Sequence, residues 1–183
     1  MKFVKRILFL GVICCLEILN CYVSHAQEKY EGMCGEDVRW TCSDGILIVT
    51  GKGEMTSSPW MKKKDCWKGI RKVVISEGIT SICESAFSSV EVIYKYDFLK
   101  DGIQLPDSLE KIGKNAFQYN YRLKSVTIPK NVQVIESGAF ESNKSLQKVT
   151  IQEESCLTRI GEYAFSSCLE LEEMNLPASV NQI

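Results

Sequence analysis

The sequence predicts an α/β-type, β-rich repeat solenoid with short parallel strands and a β-hairpin cap at its N-terminal end. Three observations predict this fold class: a motif that recurs in register, an alternating strand at the same place in most copies, and an Asp-Gly turn between two strand-like segments. A solenoid forms when one repeat cannot bury its own apolar face and must stack on its neighbours. With 183 residues, the chain is long enough for one such domain.

The recurring motif is an Ala-Phe pair that follows an isoleucine at a fixed distance. Its four copies are ITSICESAFSS (79–89), LEKIGKNAFQYN (109–120), VQVIESGAFESN (132–143) and LTRIGEYAFSSC (157–168). The unit is 23 residues long, and successive phenylalanines are 30, 23 and 25 residues apart. A period of this length with aliphatic strands is typical of leucine-rich repeats. We therefore expect one phenylalanine in the same core column of every coil.

Each unit is predicted to supply one short strand, followed by an aliphatic turn. The strands are KVVIS (72–76), SVTIP (125–129), KVTIQ (148–152) and EMNLP (173–177). Alternation along a strand directs Val126 and Ile128 inward and their neighbours outward. Seven extra residues fall in the segment after the first Ala-Phe pair. The phase of Ile93, Tyr96 and Phe98 predicts a strand near 92–98 that fills the core, with the inserted loop near 99–105.

The cap is predicted from VRWTC (38–42) and ILIVT (46–50), which flank Asp44-Gly45, a strong signal for a two-residue hairpin turn. This turn pairs Trp40 with Val49 and Cys42 with Leu47 on one face. Such an apolar face is suited to cover the open end of the first coil.

Two segments resemble a known family. The run SVTIPKNVQVIESGAFESNKSLQKVTI (125–151) is similar to the BspA-type leucine-rich repeats of bacterial and protozoan surface proteins, and residues 34–60 resemble the hairpin module that often precedes them. The resemblance covers residues 34–183 and implies an exported or surface-displayed interaction protein, often linked to adhesion. The insertion, the small number of repeats and the absence of a cap before Ile183 depart from the family pattern.

The chain divides into three predicted parts. Residues 1–26 are typical of a secretory signal, with a basic start, an apolar run and small residues before the cleavage point. Residues 27–69 form the hairpin cap, and residues 70–183 hold about four and a half repeats without a C-terminal cap. We therefore expect a secreted or cell-surface protein, with a lipid on Cys21 as the alternative route to a membrane.

Composition argues against catalysis and against a nucleic-acid partner. The net charge is −1, which does not favour binding to a polyanion. The only histidine, His25, lies in the predicted signal, so the mature chain lacks the Ser-His and Cys-His pairs of nucleophilic enzymes. No phosphate-binding loop or metal-ligand motif is present. We expect a protein that is not an enzyme and has no cofactor or metal.

The position three residues after the repeated phenylalanine holds Asn120, Asn143 and Cys168 in successive copies. A small polar side chain at such a turn can bond to buried loop backbone, so Cys168 is interpreted as a member of this ladder. An exported chain also permits disulfide bonds, although the sequence does not decide the pairing. The disulfide candidates are Cys34, Cys42, Cys66, Cys156 and Cys168.

Two surfaces are candidates for binding. The first is the outward sheet face, formed by Lys72, Val74, Ser125, Thr127, Lys148, Thr150, Glu173 and Asn175. The second is an aromatic patch of Tyr94, Tyr96, Tyr119 and Tyr121. We expect an extracellular protein ligand from a host, a matrix or a neighbouring cell. The alternatives are a carbohydrate ligand, a truncated structural module without a ligand of its own, and end-to-end self-association through the uncapped C-terminus.

Overall fold

The computed structural model describes residues 29–89 and 98–183, and the predicted signal peptide with Cys21 lies outside these ranges. The cap comprises β1 (Tyr30–Met33), β2 (Asp37–Ser43), β3 (Ile46–Glu54), a 3₁₀ turn (Pro59–Lys62) and α1 (Lys64–Gly69). The repeats comprise β4 (Lys72–Ile75), β5 (Ile79–Ile82), β6 (Ile103–Gln104), β7 (Lys111–Ile112), β8 (Ser125–Ile128), β9 (Val134–Ile135), β10 (Lys148–Ile151), β11 (Arg159–Ile160) and β12 (Glu173–Met174).

The predicted hairpin is confirmed in its turn and its register. Strands β2 and β3 pair antiparallel, with Trp40 opposite Val49 and Cys42 opposite Leu47. Asp44 and Gly45 both have positive φ, at 53° and 74°, which is the conformation that a tight hairpin turn requires. Strand β1 then adds to the outer edge of β2.

The solenoid has two strands in each coil, arranged in two sets. The first set contains the four predicted strands β4, β8, β10 and β12, together with β6. Strand β4 pairs with β6, and β10 pairs with β8 on one side and with β12 on the other, all in parallel. The second set, β5, β7, β9 and β11, is also parallel and stacks the repeated isoleucines in register: Ile82, Ile112, Ile135 and Ile160. These isoleucines were expected in turns. They lie on strands because each coil must also pair its backbone on this side.

Strand β3 joins the cap to both sets of strands. Its first half pairs with β4, from Ile46 opposite Lys72 to Val49 opposite Ile75. Its last two residues pair with β5, and the register shifts between Gly53 and Glu54. Gly51 and Gly53 have φ of 121° and 92°, so the strand can bend where an L side chain would be strained. The cap therefore covers the first coil, as predicted.

A continuous column of stacked aromatic rings forms the centre of the core. Phe87, Phe117 and Phe140 stack with centroids 5.2 Å apart, and Phe165 stacks on Phe140 at 5.3 Å. Phe87, Phe117 and Phe140 are completely buried. The predicted core column is confirmed. In each coil the residue before Ala-Phe has a positive φ, namely Ser85, Asn115, Gly138 and Tyr163.

The predicted polar ladder is also confirmed. Asn120 Nδ2 donates to the carbonyl oxygens of Phe87 and Phe117 at 3.0 and 2.8 Å. Asn143 Nδ2 donates in the same way to those of Phe117 and Phe140, at 2.9 and 2.6 Å. Cys168 Sγ completes the series by donating to Phe140 O at 3.3 Å. Asn120 and Asn143 thus bond the loop backbone of their own coil and of the preceding coil, and Cys168 bonds that of the preceding coil.

The placement of the insertion needs correction. A strand, β6, lies inside the loop that was predicted near 99–105, and it pairs Ile103 with Val73. The prediction counted forward from Phe87, whereas the observed strand keeps its distance to the isoleucine that follows it: Leu105 precedes Ile112 by seven residues, as Ile128 precedes Ile135. Phe98 is buried as expected and contacts Trp67, with ring centroids 4.2 Å apart. Ile93, Tyr94 and Tyr96 lie outside the described residues.

Candidate functional site

The outward face of the first strand set carries the predicted binding residues in two groups, one on β4 and one on or beside β8, β10 and β12. Seven of the eight lie on strands of this set: Lys72, Val74, Ser125, Thr127, Lys148, Thr150 and Glu173. Asn175 is exposed just beyond the end of β12. Parallel pairing aligns Ser125, Lys148 and Glu173 in one row, and Thr127 with Thr150 in the next.

The C-terminal part of this face is polar and internally paired. Lys148 Nζ lies 2.8 and 2.9 Å from the two carboxylate oxygens of Glu173. Both side chains are about half exposed, at 49% and 54%, so water screens the pair and it contributes little to stability. Its effect is to neutralise both charges beside the small hydroxyl side chains of Ser125 and Thr127.

The face continues onto the cap, where it becomes apolar. Ile46 lies opposite Lys72 and Ile48 opposite Val74, and each of the two isoleucines keeps 36% of its surface exposed. We call Ile46, Ile48 and Val74 the hairpin patch. Sequence reasoning missed it because only the inward residues of ILIVT were considered, although alternation places its first and third residues outside.

Residues 64–183 match the family model described as the BspA type leucine rich repeat region, in six copies. The chain belongs to the BspA-type leucine-rich repeat family. The resemblance of residues 125–151 to the repeats of this family is therefore confirmed. A comparison with curated proteins found no similar sequence.

Solved structures share the fold of this family member. A leucine-rich repeat protein from T. pallidum matches with a TM-score of 0.55 and 20% identity, over 81% of this chain and 62% of that one. A leucine rich cell surface protein from Faecalibacterium prausnitzii matches with a TM-score of 0.54 and 18% identity, over 76% and 38%. A leucine-rich repeat protein from Eubacterium ventriosum matches with a TM-score of 0.50 and 21% identity, over 85% of this chain and 40% of that one. The chain thus spans less than two thirds of each of these three proteins.

The described half of the aromatic patch is partly buried. The rings of Tyr119 and Tyr121 contact each other edge to face with centroids 6.2 Å apart. Lys144 Nζ lies 5.0 Å from the centre of the Tyr121 ring. Tyr119 also accepts a hydrogen bond from Ser89 Oγ on its carbonyl. These tyrosines therefore help to pack the turns between neighbouring coils, while Tyr94 and Tyr96 lie outside the described residues.

The second strand set carries an ion-pair cluster that sequence reasoning did not find. Glu136 Oε1 lies 3.0 Å from Lys111 Nζ and 3.6 Å from Arg159 Nη2. The three residues come from three successive coils, so the carboxylate links neighbouring coils. The repeat spacing was the available signal, because it places these positions in stacked coils. Exposed pairs of this kind contribute little individually.

The cysteines occupy three different environments. Cys34, Cys42 and Cys66 are buried in the cap, Cys83 and Cys168 are half-buried, and Cys156 is exposed. Burial raises the pKa of Cys34 to about 12 and that of Cys83 to about 11. The Cys42 and Cys66 thiols are hydrogen-bonded to each other. The structure contains six free thiols in its described ranges.

Within the described residues, a surface cavity lies near each end of the stack. One, of about 360 Å³, lies in the cap and is lined by Cys42, Asp65, Cys66 and Arg71 among others. The other, of about 240 Å³, lies at the opposite end beside Phe165 and Leu176. Residues 29–89 and 98–183 contain no group of three or more His, Cys, Asp or Glu side chains placed to hold a metal ion. No helix in those ranges is long and apolar enough to cross a membrane.

Proposed function

We propose that this chain is an exported, surface-displayed and non-catalytic binding protein that recognises another protein through the outward face of its first strand set. The binding surface is centred on the hairpin patch. The observation that carries the proposal is the outward position of Ile46 and Ile48 beside Val74, at 36% exposure for each isoleucine. Contiguous apolar side chains on a polar surface are typical of protein interaction sites.

The hairpin patch has the physical properties of a preformed binding platform. Its three side chains project from paired strands, so little backbone freedom is lost when a partner binds. Covering them releases water from apolar surface, which stabilises a complex by about 25 cal/mol per Å². Thr41, opposite Ile48, and Gln104, opposite Val74, supply polar groups at the edge. An apolar centre with a polar rim is the usual anatomy of a protein interface.

The surface location rests on two supports. The N-terminal segment has the sequence pattern of a secretory signal, and a protein of the same fold from Faecalibacterium prausnitzii is described as a cell surface protein. A host, matrix or neighbouring-cell protein is therefore the ligand class that we propose, and adhesion is the corresponding role.

Binding can be tested by capturing proteins from extracellular-matrix and host-cell extracts on the immobilised chain. Ile48→Glu places a charge in the hairpin patch and should reduce capture about tenfold or more. Thr127→Glu with Thr150→Glu tests the polar part of the same face and should have a smaller effect. Gln133→Glu adds a charge at an exposed position beside β9 in the second strand set and serves as the matched control.

Three outcomes would contradict the proposal. Equal capture by the wild type and by Ile48→Glu, with circular dichroism showing that both are folded, would exclude the hairpin patch. Loss of capture in Gln133→Glu would place the binding surface on the other strand set. Complete inhibition by free glycans, with no effect of Ile48→Glu, would favour the carbohydrate alternative.

A further inference from the structure

Cys42 and Cys66 are two buried thiols that meet across the cap. Cys42 lies on β2 and Cys66 on α1, and their side chains are 4% and 3% exposed. Cys66 donates a hydrogen bond to Cys42, which lowers the pKa of Cys42 and raises that of Cys66. Two thiols in hydrogen-bond contact need only a small movement to reach the S–S bond length of about 2 Å.

Several backbone contacts hold the two elements in this position. The carbonyl oxygen of Gly45, in the hairpin turn, accepts hydrogen bonds from Arg71 N at 2.7 Å and Lys72 N at 3.1 Å. Arg71 Nη2 donates to Asp44 O at 3.2 Å. The turn also packs so closely against the end of α1 that a Cβ on Gly45 would lie 2.7 Å from Gly69 O. The hairpin and the helix therefore cannot move apart without breaking these contacts.

The same pair is accessible to a reagent. Both cysteines line the cap cavity of about 360 Å³, together with Tyr30, Asp65 and Arg71. A small disulfide compound can enter a cavity of this size, so low exposure of the two thiols does not prevent their oxidation.

We propose that Cys42 and Cys66 are joined by a disulfide bond when the chain is oxidised. The Cys42 thiolate attacks one sulfur of a disulfide oxidant, forms a mixed disulfide and releases one thiolate of the oxidant. The Cys66 thiol loses its proton, attacks Cys42 Sγ and releases the second thiolate. The two cysteines lose two electrons, the oxidant's S–S bond takes them up, and the two protons pass to the released thiolates.

The other cysteines are less suited to this reaction. Burial raises the pKa of Cys34 and of Cys83, which disfavours either thiol as the thiolate that attacks the oxidant first. Cys168 is occupied in the ladder, where its Sγ donates to Phe140 O. Among the five disulfide candidates named from the sequence, Cys42 and Cys66 are the two that line one cavity and interact through their thiols. The oxidising compartment follows from the proposed export, but the pairing does not depend on it.

The sequence makes the test direct, because cleavage after Lys and Arg separates all six described cysteines. Cys42 lies on fragment 40–52, Cys66 on 65–68, Cys34 on 30–39, Cys83 on 73–95, Cys156 on 149–159 and Cys168 on 160–183. The full chain is incubated with oxidised glutathione, its free thiols are alkylated, and it is digested without reduction. We expect fragment 40–52 linked to 65–68, two hydrogen masses below the sum of the separate peptides. Cys156→Ser should keep the linked peptide, and Cys42→Ser should lose it.

Thermal unfolding provides a second measurement. Reduction should lower the Tm of the oxidised wild type by roughly 5–10 °C, since opening the cross-link frees the intervening loop in the unfolded chain. The Tm of Cys42→Ala with Cys66→Ala should not respond to reductant. The proposal is overturned if fragments 40–52 and 65–68 are both recovered alkylated after oxidation, or if either is linked to another cysteine instead. Neither result would affect the test of the hairpin patch.

Discussion

The two ends of the aromatic column are built differently. At the N-terminal end, Trp60 stacks on Phe87 with centroids 5.3 Å apart, and Trp40 packs edge-on against Trp60 at 5.7 Å. Both tryptophans are buried. At the other end, Phe165 stacks on Phe140 but is only partly buried, and Tyr163 and Leu169 beside it are 70% and 75% exposed.

The difference shows that a repeat residue takes its energetic value from its neighbours. The motif is the same at Phe87 and Phe165, yet only Phe87 has rings on both sides. The cap supplies the missing ring as an indole and adds a hydrogen bond, since Trp60 Nε1 donates to Ala86 O at 3.0 Å. In a solenoid, identical residues should therefore contribute unequal amounts to stability according to position.

The largest expected effect comes from removing the ring that closes the N-terminal end of the column, and the ring at the other end is its comparison. Trp60→Ala should lower the free energy of unfolding by about 3–5 kcal/mol, since it leaves a large cavity in the core. Phe165→Ala should cost only about 1–2 kcal/mol because part of that ring is already in water. Urea denaturation followed by circular dichroism measures both. Equal losses would show that the two ends are energetically equivalent and would contradict the comparison.

The polar ladder gives an intermediate effect. Asn120→Ala removes the side-chain donor to Phe87 O and should cost about 2–3 kcal/mol. Cys168→Ala should cost less than about 1 kcal/mol, since a thiol is a weak donor and Phe140 O retains its bond from Asn143. Thermal unfolding of both variants tests this order. A larger loss for Cys168→Ala would mean that the thiol has another structural role.

The smallest expected effect is a pH dependence near the cap. Hydrogen bonds from the backbone N–H groups of Asp107 and Ser108 lower the pKa of Glu77 below its usual 4.5. Its contribution is therefore complete above pH 4.5 and is lost as pH falls through the lowered pKa. Gln152, in a later coil, makes a similar bond to Lys130 N without a charge.

Titration of the Glu77 carboxyl by NMR should give a pKa below that of an exposed glutamate. Glu77→Gln should flatten the change in Tm between about pH 3 and 6, because an amide at this position does not titrate. The amide of Gln152, which accepts a hydrogen bond from Lys130 N, is the natural example of such an uncharged acceptor. If the Tm of Glu77→Gln fell at low pH as much as that of the wild type, the two hydrogen bonds to Glu77 would not stabilise the folded chain.

Much of this fold could be predicted because its sequence signals are local and repeated. Phe117 and Phe140 lie a full repeat apart, so their common place in the core follows from the period alone. The register of the hairpin follows from Asp44-Gly45, because a two-residue turn leaves one pairing. The ladder could be predicted because Asn120 and Asn143 occupy the same position relative to each phenylalanine.

The features that were missed depend on contacts rather than on local pattern. Strands β7, β9 and β11 have two residues each, which is too short for alternation to be recognised. The insertion could be aligned from Phe87 or from Ile112, and only pairing with β4 decides between them. The hairpin patch depends on which face of β3 lies outside beside Val74. The contact between Cys42 and Cys66 joins β2 to α1, and no sequence pattern relates these two elements.

The double pairing of β3 has a mechanical consequence. One continuous strand is hydrogen-bonded to β4 through its first half and to β5 through its end. A pulling force that detaches the cap must therefore load both sets of hydrogen bonds together instead of breaking them one at a time. Under tension, the junction between cap and repeats should therefore resist as one unit, and extension should begin elsewhere along the solenoid.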